Sequence, residues 1–239
     1  MKYGVQLYSL RDMGGKYGLE AILKAVADAG YDGVEFAGFY SHTPQEVKEL
    51  LDKYNLEGVS AHISPWQVEE NLPYIDTLGM KYVFNAGMHG ELWEEKYPET
   101  VEMHKKIVDI LNKRGIEYGY HNHWHEYANG GDLVDKLTKD VPGLKIQLDL
   151  CWATHAGRNV VETMKEYEGR LQCIHVKECP ETDPLTTPPP VVGEGIVDMQ
   201  GAFNEAKRQG IEWAILEVES FNMPELEYLK KSLENMKKF

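Results

Sequence analysis

Residues 117–127, EYGYHNHWHEY, carry three of the chain's nine histidines, at positions 121, 123 and 125. The stretch opens like a buried strand and ends in imidazole, amide and carboxylate groups, which are costly to bury unless something pairs with them. The same juxtaposition recurs where Asp149 sits inside KIQLDL, His175 inside QCIHVKE and Glu217 inside AILEVES. A carboxylate within an apolar run is destabilising unless it is paired or bound to a metal. A mixed His/carboxylate set suits Mn²⁺, Zn²⁺, Co²⁺ or Mg²⁺ better than Ca²⁺, which prefers an all-oxygen shell. Each group also has a plainer reading, and His121 reads equally as a structural or substrate-binding histidine. His104, on a charged helical stretch, reads as a surface residue.

Groups this far apart in sequence need a scaffold to bring them together. Short apolar runs occur at residues 3–9, 33–38, 58–64, 82–87, 117–123, 145–150, 172–178 and 214–220. They are rich in Val, Ile, Leu and Tyr and too short for helices, as buried parallel strands should be. Amphipathic stretches lie between them. LEAILKAVADAG puts Leu19, Ile22, Leu23 and Val26 on one face ahead of a capping Gly30. TPQEVKELLDKYN offers Thr43 as N-cap, Pro44 at the first helical position and Glu46 at the capping-box position. The alternation predicts an α/β fold, a (β/α)8 TIM barrel formed as one domain by residues 1–239. A doubly wound open sheet is the alternative, but no GxGxxG follows the first run.

In such a barrel, function gathers at the C-terminal strand ends. There the sequence places Gln6, Glu35, His62, Asn85, His121 with Asn122 and His123, Asp149, His175 with Lys177, and Glu217 with Glu219. Parallel neighbours lie ~4.8 Å apart. Asp149, His175 and Glu217 on consecutive strands are therefore expected to converge, with His121 as a fourth ligand. Residues 179–198, CPETDPLTTPPPVVGEGIVD, interrupt the rhythm after the seventh run; they read as a lid or as a rigid ornament.

The bulk composition narrows the partners. With 39 acidic against 25 basic residues and a net charge of −14, the chain is not expected to bind nucleic acid. No apolar run approaches the ~20 residues of a membrane span, and the N-terminal MKYGVQLYSLRD turns polar too soon for a signal peptide. Three cysteines without a CxxC pair point to a reducing cytoplasm, two of them packing as small apolar side chains. A homodimer is the default assembly.

Taken in order, GVQLYSLRD, GYDGVEFAG, YHNHWHEY, LDLCWATHAG, IHVKE, VGEGIVD and LEVES resemble the sugar phosphate isomerase/epimerase family, the xylose isomerase-like TIM barrels. The resemblance covers essentially the whole chain. It implies one divalent metal ion held by a strand-five residue, here His121, with Asp149, His175 and Glu217; Glu219 ranks behind Glu217. Ketose 3-epimerases of the family carry a Glu where His121 stands and use two metal-bound carboxylates as a base pair, so only one of that pair is kept here. The HNH strand is more similar to inosose dehydratases and 3-keto-glycoside-processing relatives.

The activity implied is a sugar isomerase or epimerase working through an enediolate on a keto sugar or related polyol, with a small-molecule sugar as its partner. The alternative is a dehydratase or lyase on an inosose or 3-keto sugar. An endonuclease IV-like nuclease and a non-catalytic sugar-binding protein are further readings, the first opposed by the charge. In the enzyme readings Glu217 is ligand and base, His121 or His123 the second acid/base, and Lys177 polarises an oxygen or assists elimination. Glu35, His62 and Glu126 would hold sugar hydroxyls, and Trp152 or Trp66 would offer an aromatic face. Only Arg158 and Lys177 are near enough to meet a phosphate, so a non-phosphorylated sugar is expected.

Overall fold

The computed structural model describes residues 1–87 and 91–239, apart from the side chains of residues 91–94 and 129–130. Eight parallel strands close into a barrel in chain order. They are β1 (Lys2–Gln6), β2 (Gly33–Phe36), β3 (Glu57–His62), β4 (Tyr82–Asn85), β5 (Glu117–His121), β6 (Lys145–Asp149), β7 (Leu171–Val176) and β8 (Trp213–Leu216). β1 pairs with β8, Val5 opposite Leu216, so no strand edge is left open. Helices α1 (Arg11–Tyr17), α2 (Leu19–Ala29), α3 (Pro44–Tyr54), α4 (Val68–Leu78) and α5 (Glu91–Asn112) belong to the first half. The second half carries α6 (Leu133–Asp140), α7 (Leu150–His155), α8 (Val160–Glu166), α9 (Met199–Gln209) and α10 (Glu225–Met236). The (β/α)8 expectation is met, and among the described residues no helix is long and apolar enough to cross a membrane.

Local chemistry sets the element ends. Thr43 and Glu46 cap α3 reciprocally, with Pro44 at its start. The first apolar run bends early, because the Gln6 side chain accepts the Tyr8 backbone N–H and starts a 3-10 turn over Leu7–Leu10.

Two β-bulges interrupt the regular pairing of the staves. Pairing shifts between Val34 and Glu35 on β2, and between Ile146 and Gln147 on β6. Each shift sets polar partners opposite one another, Glu35 against Ser60 and Gln147 against Cys173. Bulges of this kind re-aim side chains beside sites.

The lower barrel is packed with Tyr82, Phe84, Cys173, Trp213 and Ile215. Glycine at position 119 makes room for them, since a Cβ there would lie 2.7 Å from the Phe84 ring. This apolar plug is the floor on which the polar layer rests. All three cysteines are buried and unpaired by disulfides. His104 is not at the surface as expected: it is fully buried, and its Nδ1 lies 3.0 Å from the Tyr118 hydroxyl. The reason is its spacing with the buried Val101, Val108 and Leu111, which puts it on the core face of α5 despite charged neighbours.

Candidate metal centre

His121 ends β5 and Asp149 ends β6, while His175 on β7 pairs directly across from Asp149. Glu217 follows the last residue of β8. One donor atom from each of these four lies within 4.8 Å of the others, and all four residues are buried. The strands thus bring together the quartet expected from sequence.

Beneath the quartet, Glu35 fixes how its histidines present themselves. Its carboxylate accepts hydrogen bonds from Gln6 Nε2 at 2.8 Å, Ser60 Oγ at 2.7 Å, Gln147 Nε2 at 2.7 Å and His175 Nε2 at 2.6 Å. His62 Nε2 lies 3.0 Å away as well. An ionised carboxylate only accepts, so His175 donates from Nε2 to Glu35; its Nδ1, 3.2 Å from Glu217, is protonated as well in the metal-free centre and offers a lone pair once that proton leaves. The same logic orients Gln147. With its amide nitrogen committed to Glu35, its oxygen faces His62 Nε2 at 2.7 Å and His121 Nδ1 at 3.0 Å. His121 Nδ1 is then a donor, and Nε2 keeps the lone pair a cation needs. Metal-bound histidines are commonly held this way by a second group.

The electrostatics follow from burial. His121 is held neutral, well below the usual imidazole range, by desolvation and then by the neighbouring His175, His62 and His123. Desolvation lifts Asp149 to about 6, although Lys177 opposes it. Burial pulls His175 down, yet Glu35 and Glu217 on its two sides together raise it to about 10. Burial likewise acts against the Glu217 carboxylate, but His175 and then Lys177 hold it below the ordinary range.

Asp149 carries a further mark. Its Oδ1 accepts the Trp152 backbone N–H at 2.8 Å and caps α7, whereas Oδ2 is buried without a hydrogen-bond partner among the described residues. Lys177 Nζ stands 3.5 Å from that oxygen. An orphaned carboxylate oxygen beside two oriented imidazoles and a second carboxylate fits a divalent cation of the Mn²⁺, Zn²⁺, Co²⁺ or Mg²⁺ kind.

The remaining expected residues divide. Lys177 is buried over the Trp152 ring, its Nζ 4.0 Å from the centroid, and pairs with Glu219, which draws Glu219 out of the quartet. Its charged form survives burial because Asp149 and then Glu219 and Glu217 outweigh the desolvation. His123 is held neutral at about 4 by burial, with the Gly87 backbone packed close to its Nδ1. His62 lies in the polar layer next to the quartet. Trp152 is buried and Trp66 is exposed. Two expectations change. Glu35, expected on sugar hydroxyls, is fully buried with both oxygens committed to protein donors. Glu126 is fully buried too, accepting the Tyr120 hydroxyl at 2.7 Å and the His123 N–H at 2.9 Å, so it braces the turn after β5. Arg158 is engaged by Asp132 and Glu166.

Gln147 escaped the sequence reading. Its position two residues before Asp149 was the available signal, since residues i and i+2 of a strand share a face. The connection after β7 also differs from a free lid. The buried Glu178 carboxylate accepts the backbone N–H groups of Cys179 at 3.0 Å, Gly193 at 2.8 Å and Val197 at 3.0 Å. Asn235 and Tyr228 of α10 hold the carbonyls of Val192 and Pro190.

Comparison with known proteins agrees with the barrel. The xylose isomerase-like TIM barrel family matches residues 23–239. An inosose dehydratase of Mesomycoplasma hyopneumoniae is 25% identical over 193 residues, covering 70% of this chain and 64% of that protein. The chain thus spans a little under two thirds of the curated relatives it matches. Among solved structures, a sugar phosphate isomerase/epimerase from Parabacteroides distasonis superposes with a TM-score of 0.77 at 22% identity, covering 98% of this chain and 92% of the other. A D-allulose 3-epimerase from Methylomonas sp. gives 0.77 at 16% identity, covering 100% and 96%. At such identities these structural likenesses are likenesses of fold.

Proposed function

The chain belongs to the family of xylose isomerase-like TIM barrels, and on that footing we propose that it is a sugar isomerase or epimerase dependent on one divalent cation. It removes a proton next to the carbonyl of a keto sugar or related polyol. The observation that carries this reading is the convergence of His121, Asp149, His175 and Glu217, with Asp149 Oδ2 accepting no hydrogen bond among the described residues and both histidines held from behind. When bound there, a divalent cation supplies Lewis acidity toward the carbonyl and its neighbouring hydroxyl, which lowers the cost of an enediolate.

The chain's own residues do the rest. Glu35 and Gln147 orient the imidazoles and keep them from rotating. Glu217, ionised at neutral pH, is the carboxylate placed to take a proton; His123, held neutral by burial, can accept one from another direction. The apolar plug closes the barrel below the cluster, and aromatic rings stand beside it.

A second reading, dehydration of an inosose or 3-keto sugar, is favoured by one feature, the buried and charged Lys177 beside Asp149. A cationic ammonium there can hydrogen-bond a departing hydroxyl and offset its negative charge. Metal analysis of the purified protein, with Asp149→Asn and His175→Ala alongside, tests the centre; the expected result is about one ion per wild-type chain and none in the variants, with circular dichroism unchanged. Incubation with keto sugars and inososes in D₂O then separates the reactions: deuterium incorporation without water loss marks an epimerase or isomerase, an ultraviolet-absorbing unsaturated product a dehydratase. Stoichiometric metal in both variants would refute the assignment.

A further inference from the structure

Beside the metal centre five aromatic side chains form a closed circuit. His123 and His125 stack with centroids 5.7 Å apart, and Trp124 meets the edge of His125 at 6.0 Å. Trp124 then faces His155 at 6.1 Å, His155 faces Trp152 at 6.0 Å, and Trp152 returns to His123 at 6.1 Å. Three members come from the turn after β5 and two from α7, so the circuit bridges neighbouring βα connections at the catalytic end of the barrel. It adjoins the metal quartet directly, because the His123 and His121 ring centres are 5.1 Å apart.

Two of its polar atoms point to a ligand. Trp152 is 6% exposed, and its Nε1–H has no hydrogen-bond partner; the buried His123 Nδ1 has none either among the described residues. A buried polar group left unpaired is destabilising, and a ligand hydroxyl that reaches it relieves that cost. The rings supply broad apolar faces, and Trp124 is 37% exposed, so the circuit opens to solvent on that side. The cation beside it, Lys177, is already paired with Glu219 and faces Asp149, so it is not free to meet a phosphate.

We propose that this circuit is an outer subsite for the uncharged polyhydroxylated ring of the substrate, with Trp124 and His155 as residues that determine specificity. Alternating C–H faces and hydroxyls of a neutral cyclic polyol match aromatic faces interrupted by single polar atoms. The inference rests on the proposed enzyme activity for the inner end of the ligand, but the subsite can be read out separately.

The test uses the full chain and myo-inositol as a non-reacting probe, followed by saturation-transfer NMR and tryptophan fluorescence. Inositol monophosphate serves as the contrasting probe. Wild-type protein is expected to bind the neutral polyol in preference to the phosphate. Trp124→Ala and His155→Ala are each expected to weaken polyol binding about tenfold, while Tyr17→Ala, at an exposed position of α1 off the circuit, leaves it unchanged. Metal content and circular dichroism stay at wild-type levels in all three. Unchanged affinity in Trp124→Ala and His155→Ala, absence of myo-inositol binding, or a preference for the phosphate would overturn the proposal. Loss of polyol binding in those variants, with a wild type that holds no ion, would uphold the subsite while refuting the metal enzyme.

Discussion

The Nε2–H of His175 donates to Glu35 across 2.6 Å, although the two residues are separated by most of the chain. That bond makes Glu35 the group that aims His175 at the cluster. Groups in this supporting position typically govern metal affinity by roughly 10–100-fold. Glu35→Gln is therefore expected to keep the fold yet lower cation affinity by a factor in that range. Calorimetric titration with Mn²⁺ or Zn²⁺ measures it; wild-type affinity in the variant would show that Glu35 does not orient the ligand.

Protonation of the metal-free centre sets a second expectation. Burial raises Asp149 to about 6; His175, lowered by burial but lifted by Glu35 and Glu217, reaches about 10. Both lie above unfolded-chain values of ~3.9 and ~6.5. Each group thus favours the folded state while protonated. That contribution is fully present below its unfolded pKa and is lost as pH rises through about 6 for Asp149 and about 10 for His175. A cation needs both groups deprotonated, so uptake must release protons. Calorimetry in buffers of different ionisation heat should find about one proton released per ion near pH 7.5 and about two near pH 5. Release that fails to rise on acidification would contradict the assignment of these two groups as ligands.

Glu178 gives an expectation about the long connection. Glu178→Ala leaves three backbone N–H groups without their acceptor. The loss is expected to destabilise the fold by about 2–3 kcal/mol and lower Tm by roughly 4–12 °C in a chain of this size. Limited proteolysis should then cut within residues 181–198, where the wild type resists. Equal resistance in both would mean that the α10 contacts alone hold the segment.

The barrel and the quartet were legible because both are written in short-range pattern. Apolar runs of strand length mark the staves, and Asp149, His175 and Glu217 stand out as polar groups that such runs do not tolerate without a partner. What stayed hidden depends on long-range pairing. Glu35 reads as reaching for substrate because nothing near it in sequence announces Ser60 or Gln147 as partners, whereas the partners of Glu126, Tyr120 and the His123 N–H, are close in sequence and are brought to it only by the turn after β5. Gln147 is an ordinary strand residue until a bulge and Glu35 orient its amide. Glu178 belongs to the same class, since its donors lie up to 19 positions further on. His104 was a misread periodicity, with adjacent lysines masking the core spacing.

Lys177 separates the two reactions the centre could perform. Its ammonium stands 3.5 Å from Asp149 Oδ2 and over the Trp152 ring, 2% exposed. An ammonium kept charged by surrounding carboxylates is a poor base and gives up its proton reluctantly, so it would assist elimination by hydrogen-bonding the departing hydroxyl and offsetting its negative charge. Lys177→Met preserves much of the side chain's length while removing that cationic donor. In a dehydratase, α-proton exchange from an inosose in D₂O should persist in the variant, while formation of the unsaturated product falls by ~10²–10⁴-fold. Asp149 would also lose the neighbour that opposes its burial, so cation uptake should move to higher pH. If exchange and elimination fall together with the ion still bound, Lys177 acts by positioning rather than by stabilising the departing hydroxyl. If the variant still exchanges and epimerises a keto sugar at near the wild-type rate, the ammonium takes no part in that chemistry, and the proton must be returned by Glu217 or His123.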